Sequence, residues 1–181
     1  FLRRSLHAVG VTPSGAAPAA ALCRRLYLVL TGLPPTPGEL DAYLGDQRPN
    51  RYELLVDRLL TDEPYATRHA EHLASLWLDA GRYADTSGIH MDAGRQAWLW
   101  RDWLIEAIRD DKPFDDFVVE QLAGDLLPDA TAAQRVATGF LRNHVTTDEG
   151  GAINAEYLVE YAAERTSTVG SVLMGLTVGC A

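Results

Sequence analysis

The sequence predicts an all-α fold: a single helical domain of roughly eight helices joined by short loops. Three observations predict it. Apolar residues recur at three- and four-residue spacing along most of the chain, helix start and stop signals repeat, and alternating β-branched runs are nearly absent. A composition that is 47% hydrophobic and 23% charged is enough to bury a sizeable core.

The elements follow in order. Leu2 to Val9 reads as a short amphipathic turn stopped by Gly10, and Pro13 to Pro18 as a loop, so 1–18 is an N-terminal extension. Ala19 to Leu30 carries Leu22, Leu26, Val29 and Leu30 on one face and ends at Gly32. Leu33-Pro34-Pro35 cannot continue a helix, because proline lacks the donor and constrains its predecessor. Thr36-Pro37-Gly38-Glu39 is a start signal: a Thr cap, Pro at the first helical position and Glu placed to close a capping box. Asn50-Arg51-Tyr52-Glu53 repeats that logic and opens a helix to Leu60. The longest early helix spans about Pro64 to Ala84, with Leu73, Leu76, Trp77 and Ala80 at core spacing. Asp85 to Gly94 is a polar loop, Arg95 to Arg109 a helix with clustered tryptophans, and Phe114 to Ala123 a helix stopped by Gly124. Thr131-Ala132-Ala133-Gln134 is a further capping box, opening a helix to about Arg142. After the polar loop Asn143 to Ile153, Asn154 caps a last helix that Gly175 ends near Met174.

Charge excludes whole classes of partner. The net charge is −9, and it is uneven: residues 1–60 sum to +2 and 61–181 to −11. An acidic body without a basic stripe argues against nucleic acid and anionic membrane surfaces. No run of 18 apolar residues exists to span a bilayer. Two cysteines, Cys23 and Cys180, are too few for a disulfide framework, although one bridge between them stays open. There is no nucleophile elbow, phosphate-cradling glycine loop or HExxH pair.

Five stretches carry a family resemblance. They are 24–37 (RRLYLVLTGLPPTP), 77–86 (WLDAGRYADT), 120–131 (EQLAGDLLPDAT), 137–144 (ATGFLRNH) with Glu149-Gly150-Gly151, and Val159-Glu160-Tyr161 through Glu164-Arg165. Together, from Leu22 onward, they resemble the planctomycete cytochrome-associated domain of unknown function, the middle module of large exported proteins. The resemblance implies a cytochrome-c-like module upstream, another module downstream, and a periplasmic or cell-envelope location. It also implies that the segment Leu176 to Ala181 continues into a Cys-His pair, which makes Cys180 the first thiol of a truncated haem-attachment motif. Haem c is then expected in the longer protein and none on residues 1–181 alone, since the second thiol and the axial His lie outside them. One departure is Leu76, where the family usually has His.

The remaining candidates come from residue chemistry. Asn143, His144, Asp148, Glu149, Gly150 and Gly151 concentrate an imidazole, an amide, two carboxylates and two permissive glycines in one loop. His144 is a metal-ligand candidate there, with Asp148 or Glu149 as companion. The plainer reading has Asn143 and Asp148 as helix caps. Asp79, Arg82 and Asp85 share one helix, with Asp79 and Arg82 spaced for an ion pair. Glu160 and Arg165, with Glu156 and Glu164, form a charged line that reads as a solvated face or as partly buried ion pairs. An exposed tryptophan near His90 and Asp92 would suit a sugar ring or a neighbouring module. The expected function is therefore a helical module of an exported c-type-cytochrome-associated protein, supporting haem placement or electron transfer. Its partners would be other modules of the same polypeptide or a redox partner. The alternative is a non-redox binding or scaffold module that contacts carbohydrate.

Overall fold

The computed structural model describes residues 2–89, 91–147 and 149–179. Among them the chain forms nine α-helices and no strand, with one isolated bridge between Thr86 and Gly94. The all-α expectation therefore holds. The chain's contacts cluster into two compact units, Phe1–Tyr65 and Ala66–Ala181.

The first unit holds α1 (Leu2–Ala8), α2 (Ala19–Thr31), α3 (Pro37–Gly45) and α4 (Arg51–Thr61). Helix α1 buries nothing. The other three enclose Cys23, Leu26, Tyr27, Tyr43, Leu55 and Leu59 together with Tyr65. The Thr36 capping box forms as predicted: the Thr36 hydroxyl accepts from Glu39 N–H, and Glu39 Oε2 accepts from Thr36 N–H at 2.7 Å. The same carboxylate takes the Tyr65 hydroxyl through Oε1, so a local cap also anchors a residue 26 positions away. The Arg58 guanidinium covers the Tyr65 ring at 5.0 Å. Asn50 makes no side-chain cap; it precedes α4 in a bend rather than the extended conformation that aims a cap inward. Cys23 is fully buried, and burial, helped by the Glu39 charge, raises its thiol pKa, which marks an inert core cysteine.

The second unit is built from the rest of α5 (Tyr65–Ala80), α6 (Trp98–Arg109), α7 (Phe114–Ala123), α8 (Ala132–Ala137) and α9 (Asn154–Met174), with 3₁₀ turns at Gly124–Leu126 and Thr138–Arg142. Its core contains Ala74, Trp100, Trp103, Leu104, Ala107, Phe117, Ala137 and Phe140. Leu73 and Leu76, read from spacing as core, are 38% and 62% exposed. The small residues Ala70 and Ala74 take the buried positions on α5, which brings its backbone close to its neighbours and turns the bulky leucines outward. Gln121 is wholly buried and satisfied: it accepts from Trp77 Nε1 at 3.1 Å and donates to Phe117 O at 3.2 Å. The helix expected from Thr131 to Arg142 keeps its capping box but tightens into 3₁₀ geometry at Thr138. Asn154 is the first residue of α9 and not its cap; Ile153 stands before it without a side-chain acceptor.

Trp100 is the centre of this unit. Its ring stacks near Tyr83 at 6.2 Å and lies beside Phe140 at 6.0 Å. Glycines flank it, because a Cβ on Gly139 would sit 2.7 Å from Trp100 Cβ, and one on Gly81 would sit 3.0 Å from Trp100 Cη2. Gly139→Ala should therefore destabilise the unit by about 2–3 kcal/mol through overpacking. Gly38→Ala, where an added Cβ meets nothing within 4 Å, should stay within about 0.5 kcal/mol of the native chain. Urea unfolding of the two variants gives the comparison.

Candidate functional site

Helix α5 ends in a tight reversal that sets the site. Tyr83 N–H donates to Leu78 O at 2.9 Å, and Arg82 takes a left-handed backbone with φ of 61°. Glycine would relax that position, so a non-glycine residue there holds strain for the sake of its side chain. Arg82 reaches α9 and pairs with Glu164 at 3.1 Å. The Asp79–Arg82 ion pair expected from helical spacing does not form, because the chain leaves the helix at Gly81 and the guanidinium swings away. Asp79 is exposed and accepts only a backbone hydrogen bond from Arg82 through its carbonyl.

From there two loops are tied together by one residue. Arg95 stands just before α6, and its guanidinium donates only to carbonyls: Nε to Ala84 O at 3.1 Å, Nη1 to His144 O at 2.8 Å and Nη2 to Asn143 O at 3.2 Å. Its own N–H donates to Asp85 O at 2.8 Å. Helix α6 begins at Trp98 rather than Arg95 because Arg95 is held in this extended latch. The planar fork of arginine suits several carbonyls at fixed angles, which an ammonium does not. A second tie joins the loops directly, Thr146 N–H to Ser87 O at 3.2 Å. Asp92 accepts Gly88 N–H at 2.8 Å, and with the Thr86 hydroxyl, the larger influence, this lowers its carboxyl pKa.

The joined loops rest on α9. Glu164, half-buried, accepts Val145 N–H at 3.1 Å on one oxygen while Arg82 takes the other. Tyr161 accepts Thr147 N–H at 2.9 Å through its hydroxyl. Its ring stacks against His144, with centroids 4.6 Å apart. His144 Nδ1 lies 3.0 Å from Val145 O. A carbonyl only accepts, so Nδ1 is the donor in this contact. Among the described residues no group of three or more His, Cys, Asp or Glu side chains is placed to hold a metal ion.

The predicted residues thus separate. Asn143, His144, Arg82 and Asp85 come together through Arg95 and α9; Asp85 contributes its carbonyl and takes the Tyr83 hydroxyl. Burial, with Asp85 second, raises the Tyr83 phenol pKa above its ordinary 10.0. That protonated phenol favours the folded state below the unfolded value, and the advantage is lost as pH rises through the raised one. Glu149 is exposed and borders a hollow with Tyr157 and Tyr161. Gly150 and Gly151 lie in an open turn with nothing within 4 Å, so no close approach depends on them. Glu160 is exposed, and Arg165 turns back to its own helix, Nε to Tyr161 O at 3.0 Å. Asp148, Cys180 and His90 lie outside the described residues. Sequence reasoning missed Arg95, Tyr161 and Ser87; only the coincidence of an arginine and two flanking polar loops signalled the first. Trp98 is 44% exposed and Trp100 is buried, as their two-residue spacing requires.

The whole chain, residues 1–181, matches one family model, described as PSCyt2: Protein of unknown function (DUF1549), and the chain belongs to that family. No curated protein and no solved structure matches it. If the carbonyl latch organises the site, Arg95→Ala should cost about 2–3 kcal/mol, as for part-buried hydrogen bonds to a charged group. Arg95→Lys should recover less than half of that. Amide exchange should quicken in 84–95 and 143–147 in both variants while α7 stays protected. An Arg95→Ala protein with native stability and unchanged loop exchange would show that the loops hold themselves.

Proposed function

We propose that this chain is a helical module of an exported, cytochrome-associated polypeptide, and that it helps place a covalently attached haem at the module's C-terminal edge. Family membership supports the cytochrome context, since the label PSCyt2 abbreviates planctomycete cytochrome. The observation that carries the reading is the treatment of the residues leading to Cys180. Gly175 turns the chain with a left-handed φ of 64°, and Leu176 N–H donates back to Gly170 O at 2.9 Å. Val178 then lies against Gly170, where an added Cβ would come within 2.8 Å of its Cγ2, and a Cβ added at Gly179 would come equally close to Ser167 Oγ. The segment runs back along α9 to a point about 9 Å along the axis from Tyr161. An attachment cysteine needs such a held approach, because its thiol must meet one vinyl group at a fixed position.

The fit of this chain to haem is partial. Covalent attachment through both vinyls needs two thiols and an axial imidazole, and the sequence offers Cys180 alone at that edge. His144 presents Nε2 with its other nitrogen held by a carbonyl, an arrangement that suits a ligating imidazole. When bound, the haem would supply one-electron transfer, and the chain's own residues would hold its attachment point and the loops beside it.

A second reading is a non-redox binding or scaffold module, favoured by the 44% exposure of Trp98 at the start of α6. The two readings part in the longer native protein. The haem reading expects a Soret band there, loss of one thioether in Cys180→Ser, and a lower attached fraction in Gly170→Ala, where Val178 must move. Mass spectrometry of residues 1–181 alone should show no haem adduct. Absence of a Soret band from the longer protein would leave the scaffold reading.

A further inference from the structure

Tyr83 is held at three points where α5 gives way to the 84–95 segment. Its backbone N–H donates to Leu78 O at 2.9 Å. Its ring stacks on the Trp100 indole, with centroids 6.2 Å apart and planes 30° from parallel. Its hydroxyl donates to Asp85 Oδ1 at 2.5 Å. Asp85 is fixed in turn, because its carbonyl accepts the Arg95 N–H at 2.8 Å, and it is open to solvent.

The two stacked rings differ in what they can do with a proton. Trp100 is 2% exposed and its Nε1 has no hydrogen-bond partner among the described residues, so an oxidised indole there keeps its N–H and stays a cation. A cation in that apolar surrounding is costly. The Tyr83 hydroxyl instead points at a carboxylate, which accepts only. A phenol that gives up an electron and a proton together ends neutral, so the electron deficit moves from the indole to the phenol. Electron exchange between stacked rings needs no access to the buried one.

We propose that Tyr83 is a redox-active tyrosine, on which a one-electron oxidation of the second unit comes to rest. The electron passes from the phenol, directly or through the Trp100 ring, to an outer-sphere oxidant such as an oxidised metal complex. In the same step the phenolic O–H bond breaks and its proton goes to the Asp85 carboxylate. The products are a neutral tyrosyl radical and a protonated Asp85. An electron from an outer-sphere reductant restores the phenol, with the proton returning from Asp85. Nothing in this chemistry requires a haem. Tyr65 supplies the comparison: its hydroxyl also meets a carboxylate, but Glu39 is shared with the Thr36 cap, and the first unit contains no tryptophan.

The test uses residues 1–181 with photogenerated tris(bipyridine)ruthenium(III), a one-electron oxidant that needs no binding site. Transient absorption follows the indolyl and tyrosyl radical bands. In the native chain the indolyl radical should give way to a tyrosyl radical, more slowly in heavy water because the proton moves with the electron. Tyr83→Phe keeps the ring and its stacking, and should lose most of the tyrosyl signal while the indolyl radical persists. Tyr65→Phe should match the native chain. Asp85→Asn keeps an oxygen that accepts a hydrogen bond but is no base, and should slow tyrosyl formation by about tenfold or more. An equal tyrosyl yield in the native chain and Tyr83→Phe would overturn the proposal. So would unchanged kinetics in Asp85→Asn or in heavy water, or an indolyl radical that never passes to tyrosine in the native chain.

Discussion

Close packing around the Trp100 indole is the constraint on which the second unit depends. A ring this large can be buried to 2% exposure only if the chain around it gives up side-chain volume, and it does so at Gly81 and Gly139. Those two glycines are the end of α5 and the turn that replaces the end of α8. Both chain reversals are therefore set by one side chain on α6. The tightening into 3₁₀ geometry at Thr138 and the strained backbone at Arg82 stand next to these contacts.

From that wedge the polar site follows. With α5 stopped at the indole, the 84–95 segment must leave the core and cross in front of the 142–147 segment, and both carry backbone carbonyls with no helix to absorb them. Arg95 satisfies three of these carbonyls with one rigid cation. Glu164 and Tyr161 then satisfy N–H groups of the same loop from α9. The site is thus an accounting solution for loop backbone, and its electrostatics are a consequence. The Arg95 guanidinium is met there by carbonyl dipoles rather than by a hydrogen-bonded carboxylate.

The last helix connects this region with the end of the chain. Its 21 residues receive the loops around Tyr161 and Glu164 and the returning segment around Ser167 and Gly170. These positions follow one another along one helix, which fixes the distance between them.

Most of the secondary structure was legible in the sequence, because helix boundaries here are set by local chemistry. Thr36 and Thr131 make their capping boxes with residues three positions away, Gly175 takes the left-handed turn that glycine favours, and Pro113 and Gly124 bound α7 where they stand. The loop Asn143–Gly151 was legible as polar and concentrated, and of the residues that hold it Glu164 was named. What only the tertiary structure decided is which of those residues act together. Helical spacing put Asp79 beside Arg82, but a termination driven by Trp100 sent Arg82 to Glu164, 82 residues away. Spacing also placed Leu73 and Leu76 in the core, while Ala70 and Ala74 were buried instead, because the interior required small residues at that crossing. Arg95 had no motif at all. Its role arises from carbonyls that become neighbours only after folding, and a carbonyl is the one group every residue carries, so no pattern of side chains can announce it.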